Sequence, residues 1–291
     1  MSTLIGHETI VQDFLELAES RALGHGYILC GPTMVGKRAF AERLANRIET
    51  GTFEAIAENA ILQDMMLIDL ASMKQRDDST KDSIGIEAIR EIKNFLWQKP
   101  SRSPRRTLII DEAELLTTEA QNALLKITEE PPASSLLILI ASDVESILPT
   151  IASRLPKIYF GTVSEKAIEA WLVGEHNLAK TKAAPLAKKS LGKPGLAYRL
   201  LTDKTFQKNL ELAEKYLKSP VAGRKDLIKK IIDPDDFNLR IFLESVIINL
   251  AWEKPSKTRS ALWHRTLELY GNAMNFGLNP RLQLEALFAA A

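Results

Sequence analysis

Short apolar runs recur through the first half of the chain, and each closes on polar or turn-forming residues. Residues 25–30, 66–70, 107–110, 136–141 and 156–160 read as strands. Within them apolar positions follow one another with little alternation, the pattern of a parallel sheet covered on both faces. Between these runs the period changes to that of a helix. Ile10, Phe14, Leu17 and Ala18 share one face of a predicted N-terminal helix, and 39–48 forms the next. A third helix, 86–97, turns Ile89, Ile92, Phe95 and Leu96 inward, while 118–130 carries Ala120, Leu124 and Ile127 on a stripe that stops at Pro131-Pro132. The polar stretch 74–83 reads as a loop. Strand and helix in alternation predict an α/β domain with a doubly wound parallel sheet. After Thr162 the strand pattern ends. Helices are predicted at 164–174 and 180–190, and helical periods continue around Leu210, Leu217, Ile228, Phe242, Ile247, Trp252, Leu262, Leu269 and Phe276.

Two of the strands end in residues suited to phosphate chemistry. The first runs into Gly31-Pro32-Thr33-Met34-Val35-Gly36-Lys37-Arg38, which has the GxxxxGK spacing of a Walker A phosphate loop, and then into a helix. The order matters because backbone N–H groups at a helix N-terminus wrap phosphate oxygens while the lysine reaches the outer phosphates. The next position ordinarily supplies a hydroxyl to Mg²⁺. Here it is Arg38, and a guanidinium has no lone pair to offer a cation. The strand at 107–110 ends in Asp111 and Glu112, at the edge where open α/β sheets bind ligands. Asp111 is a candidate to hold Mg²⁺ and Glu112 to orient an attacking water. A second reading of the pair stays open, in which the acids cap the sheet edge and order the following loop with no metal bound.

The run Asp111-Glu112-Ala113-Glu114, then Asn122-Ala123-Leu124-Leu125-Lys126, then Glu129-Glu130-Pro131-Pro132 resembles the Walker B strand and following helix of bacterial clamp-loader subunits in the AAA+ superfamily. The resemblance extends over nearly the whole chain in order, and it implies an AAA+ sheet domain at 1–161, a small helical lid at 162–203 and an all-helical collar at 204–291. It implies that ATP or ADP, if bound, meets Gly31, Pro32, Gly36, Lys37 and Arg38, with Mg²⁺ on Asp111. Ser142, at the end of the fourth strand, stands where related ATPases sense the γ-phosphate; capping the next helix is the alternative. Leu148 to Leu155 resembles the family segment whose arginine reaches a neighbouring subunit's ATP, so Arg154 is the candidate finger, supplied in trans. Leu155 replaces a family cysteine there.

Three departures bear on hydrolysis. Arg38 replaces the metal-binding hydroxyl, Met34 stands where the family loop has glycine, and Gly195 stands where active relatives carry a nucleotide-contacting arginine at the start of a lid helix. Together they imply a subunit with a defective site of its own, acting as a stator beside hydrolysing neighbours. The implied partners are other clamp-loader subunits in a hetero-oligomeric ring, the sliding clamp, the DNA polymerase III holoenzyme and, through the assembly, primed DNA. The alternatives are an ATP-hydrolysing motor subunit, for which Lys37, Asp111 and Glu112 speak, and a scaffold in which Arg154 has no catalytic part.

Composition changes this picture little. Among 291 residues, 38 basic and 37 acidic side chains leave a formal net charge of +1, so global charge does not point to nucleic acid. Locally, residues 180–230 hold fourteen Lys or Arg against four Asp or Glu, an excess that fits either phosphate contact or simple solubility. The single cysteine, Cys30, rules out a disulfide within the chain and the four-cysteine zinc module of several family members. No apolar run approaches a membrane span and no signal pattern opens the chain, which predicts a cytoplasmic protein with no membrane partner. The acids belong to one nucleotide site, with no second constellation for two-metal polymerase chemistry.

Overall fold

A computed structural model describes residues 4–57, 59–77, 83–234, 237–254, 256–275 and 278–287. The chain divides into two units, Met1–Ala197 and Tyr198–Ala291. The first runs α1 (Glu8–Glu19), β1 (Gly26–Cys30), α2 (Lys37–Thr50), β2 (Met65–Ile68), α3 (Leu70–Asp77), α4 (Ile86–Leu96), β3 (Arg106–Ile110), α5 (Thr118–Glu129), β4 (Ser135–Ala141), α6 (Pro149–Ala152), β5 (Lys157–Tyr159), α7 (Glu165–Gly174), α8 (Lys180–Lys189) and α9 (Pro194–Thr202), within which the division falls.

All strand pairings are parallel, in the order β2-β3-β4-β1-β5. The unbroken apolar runs follow from burial on both faces. Ile28, Leu108, Ile110, Leu137 and Leu139 pack on one side with α4 and α5, whereas Leu29, Ile109, Leu136, Ile138 and Ile140 pack on the other with Phe14, Phe40 and Leu44 of α1 and α2. Such strands gain about 1.5–3 kcal/mol for each large side chain removed from water. The two edge strands are thinner. β5 is only three residues long and leaves Tyr159 67% exposed, as an edge with one paired side requires.

The stretch after β2 departs from the sequence reading. Leu70 does not extend β2: Asp69 caps a helix instead, its Oδ1 accepting the Ser72 N–H at 2.7 Å while Ser72 Oγ accepts the Asp69 N–H at 3.1 Å. The expected loop at 74–83 is therefore helical as far as Asp77, with 78–82 outside the described residues. Gly195 and the lid-like helices α7 and α8 fall in the first unit.

The second unit is helical: α10 (Lys204–Lys218), α11 (Val221–Ile232), α12 (Leu239–Trp252), α13 (Lys257–Asn275) and α14 (Pro280–Ala286). Its core gathers Tyr216, Ile228, Phe242, Leu243, Val246, Leu262, Leu269 and Leu284. The Tyr216 hydroxyl donates to the Leu284 carbonyl at 2.6 Å, joining α10 to α14. Trp263 and Tyr270 lie half-buried against this core, and Phe276 lies outside the described residues. Arg199 pairs with Glu244 at 2.9 Å and stacks over Phe206 at 3.9 Å, contacts that lie within this unit. No helix among the described residues is long and apolar enough to cross a membrane.

Candidate functional site: a phosphate loop facing two aspartates

The carboxyl ends of β1, β2 and β3 meet the amino end of α2. β1 is buried and stops at Cys30, after which Gly31 adopts φ 133°. A Cβ there would fall 2.1 Å from the Phe160 carbonyl oxygen, so the turn requires glycine. Gly36, at φ 111°, leads into α2, which begins without a side-chain cap and so keeps donors free at its amino end. Met34 takes φ 65°, left-handed as glycine would be, at a cost of about 1–2 kcal/mol for a residue with a Cβ. Gly195 lies directly on it. The Gly195 N–H donates to the Met34 carbonyl at 2.9 Å, and a Cβ at 195 would come within 2.9 Å of Met34 Cβ. His7, from the N-terminal segment, places Nε2 3.2 Å from the Val35 carbonyl on the same loop.

Lys37 is buried, and its ammonium donates to the carbonyls of Gly31 and, at 2.7 Å, Pro32. Burial lowers its pKa against the pull of Glu114 and Asp111. Arg38 turns toward acids. Its Nη1 lies 2.7 Å from Asp69 Oδ2 and 3.4 Å from Asp111 Oδ2, and its Nε lies 2.9 Å from Glu42 Oε1, one helical turn on. The pairing of Ile68 with Ile110 in adjacent strands is what sets Asp69 beside Asp111. Burial raises the Asp111 pKa despite Arg38. At Asp69 burial pushes the same way but is outweighed by the Ser72 amide and Arg38, which hold the carboxyl below its ordinary range. The ion pair is thus carried mainly by Arg38 and Asp69, with Asp111 at the looser contact.

Glu112 is exposed, holds φ 53° and donates its N–H to Asp111 Oδ1 at 3.0 Å. Ser142 at the end of β4 gives both its hydroxyl and its N–H to Glu114 Oε1. It does not cap the turn that follows: Asp143 does, accepting from the Glu145 N–H at 3.0 Å. Arg154 lies just beyond α6. Its Nη2 is 2.8 Å from Glu129 Oε1 and its Nη1 donates to the Thr150 carbonyl at 2.6 Å. Both partners of the ion pair are more than a third exposed, so the contact is worth about 0–1 kcal/mol and is readily exchanged. The segment leading to Arg154 is held from below by buried Gln121, whose Oε1 accepts the Leu148 N–H at 2.8 Å and whose Nε2 donates to the Ser146 carbonyl at 3.2 Å.

Residues 6–164, more than half of the chain, match the family model described as DNA polymerase III, delta subunit. The chain belongs to that family. Among curated relatives, the DNA polymerase III subunit gamma/tau of Mycobacterium bovis is 27% identical over 172 residues, covering 58% of this chain and 30% of the relative. The DNA polymerase III subunit delta' of Escherichia coli is 29% identical over 143 residues, 49% of this chain and 43% of the relative. The chain therefore spans less than half the length of these two relatives. A DNA polymerase III gamma subunit-related protein of Thermotoga maritima shares the fold, with TM-score 0.59 over 95% of this chain and 97% of that one at 18% identity. The AAA+ architecture expected from the motifs is the one observed.

In this clamp-loader fold the two implied ligands fare differently. The glycine loop, the uncapped start of α2 and Lys37 suit an anion. Mg²⁺ does not fit, because the residue that should ligate it is a cation already seated against Asp69 and Asp111. Asp69, Glu42, Glu114, Glu129 and Gln121 were not singled out from the sequence. Asp69 had a signal, since it ends an apolar run at the same sheet edge as Asp111, and so did Glu42, four residues on from Arg38 along one helix; the others meet their partners only through the fold.

Proposed function

We propose that this chain is a clamp-loader subunit of the delta-prime type in the bacterial DNA polymerase III holoenzyme, a stator in a hetero-oligomeric ring that places the sliding clamp on primed DNA. Its own site does not hydrolyse ATP, and Arg154 completes the site of a neighbouring subunit. The observation that carries the stator reading is the seating of Arg38 between Asp69 and Asp111, which removes a metal ligand and takes up the carboxylate that would share the ion. The loop and lid are also joined directly, through the Gly195 N–H and the Met34 carbonyl. Such a joint suits a part that holds its shape while its neighbours cycle. Arg154 supports the finger assignment because its pairing with Glu129 is surface-exposed, so turning toward a neighbour's phosphate costs little.

The test is reconstitution with hydrolysing partner subunits. Arg154→Ala should leave assembly intact and lower the rate of ATP hydrolysis at the neighbouring site it completes by about 10³-fold or more, the scale of a lost arginine finger. An unchanged rate in an assembled ring would favour the scaffold reading. A motor subunit of the gamma/tau type is the second reading, favoured by the presence of Lys37, Asp111 and Glu112. It requires Mg²⁺-dependent ATP hydrolysis by the purified chain that Lys37→Ala abolishes.

A further inference from the structure

In P-loop NTPases the loop hydroxyl and the aspartate ending the Walker B strand jointly hold a divalent cation. Here the side chain at the hydroxyl's position spans the same gap and touches the same aspartate. Its grip is built by the fold. Asp69 spends Oδ1 on the Ser72 N–H at 2.7 Å, leaving Oδ2 for Arg38, and Glu42, one turn along α2, fixes Nε at 2.9 Å. We infer that the Arg38 guanidinium is a permanent substitute for the metal ion: it ties the start of α2 to the ends of β2 and β3, and it keeps divalent cations out of the cleft whether or not a nucleotide is bound.

Two physical facts make the exclusion strong. Mg²⁺ accepts only near-octahedral oxygen ligands, normally one or two carboxylates together with phosphate oxygens and water. Arginine stays charged under all ordinary conditions and offers no lone pair, so an entering cation would lose Asp111 as a free ligand and face a like charge at the position that should bind it. Lysine at this position would keep the charge, whereas threonine would restore a ligand and free both aspartates. This inference rests on reading the cleft as a nucleotide site by descent, but it does not need the chain to enter a ring.

The experiment is electron paramagnetic resonance of Mn²⁺ added to the full-length chain, with and without ADP, for the wild type, Arg38→Thr, Arg38→Lys and the double variant Arg38→Thr/Asp111→Asn, each checked for folding by thermal unfolding. The wild type and Arg38→Lys should show no protein-bound manganese beyond that held by ADP alone. Arg38→Thr should gain a protein-bound, ADP-dependent signal and an ADP affinity raised about tenfold by the metal, and the double variant should lose both. Protein-bound Mn²⁺ in the wild type overturns the inference without reference to any variant. So does a folded Arg38→Thr that gains no metal, or an Arg38→Lys that admits it. A chain that excludes Mn²⁺ as expected yet joins no clamp-loader ring leaves this inference standing and sinks the assembly reading instead.

Discussion

Gly195→Ala tests whether the phosphate loop and the start of α9 are a matched pair, and its sign should depend on residue 34. Alanine is the better helix former by about 0.8–1.0 kcal/mol, so an unhindered site near the start of α9 would be stabilised. The site is hindered: the new methyl would lie 2.9 Å from Met34 Cβ and 3.1 Å from the Met34 carbonyl oxygen. Carbon atoms prefer a separation of about 3.5–4.0 Å. Both clashing atoms belong to or adjoin the backbone, so no rotamer change relieves them, and overpacking of this kind costs about 1–3 kcal/mol. The net expectation is a loss of about 0–2 kcal/mol. In a Met34→Gly background the 2.9 Å contact disappears, leaving approaches of 3.1 Å and 3.2 Å that a small shift relieves. The same Gly195→Ala change should then be neutral or stabilising, a coupling of at least about 1 kcal/mol between the two sites. Urea denaturation of the four proteins in this cycle measures it. Additivity within about 0.5 kcal/mol, or a Gly195→Ala single variant more stable than wild type, would refute the argument.

Further consequences concern the supports of the site. Asp64 is buried and accepts the N–H groups of Ser101, Arg102 and Ser103 at 2.7, 2.7 and 2.9 Å, with Arg106 at 3.8 Å. Asp64→Asn should cost about 2–4 kcal/mol in urea denaturation, because an amide cannot accept all of these and leaves Arg106 uncompensated. Burial alone would raise the Asp64 pKa, but the amides of Arg102, Ser101 and Ser103 outweigh it and hold the carboxyl below the ordinary aspartate range. Its contribution is therefore fully present above that ordinary range and is lost as pH falls through the lower folded-state value, so the acid limb of stability against pH should flatten in Asp64→Asn. Gln121→Leu takes their partner from the half-buried Leu148 N–H and from the carbonyl of exposed Ser146, which water can reach, at about 1–3 kcal/mol in total. In a reconstituted ring it should also lower the ATPase rate through Arg154, and a variant with normal stability and rate would show that Gln121 does not position this segment.

The alternation of buried apolar runs with helical periods was enough to assign a parallel α/β sheet, because strands covered on both faces can only be apolar throughout. The glycine loop, the acids ending β3 and the stop at Pro131 were equally legible, since each depends on neighbours in the chain. That Arg38 cannot ligate a metal also follows from its chemistry alone. What it does instead follows from strand order. Parallel pairing of β2 with β3 in one register brings Asp69 beside Asp111, 42 residues away in sequence, and the capping of α3 leaves one Asp69 oxygen free for the guanidinium. The contact of Gly195 with Met34, the parking of Arg154 on Glu129 and the bonding of Ser142 to Glu114 likewise join residues far apart in the chain. Local chemistry settles which groups are present and which elements carry them. Only the tertiary structure decides which charge each group faces, because that depends on register and packing between segments whose separation along the chain carries no trace of it.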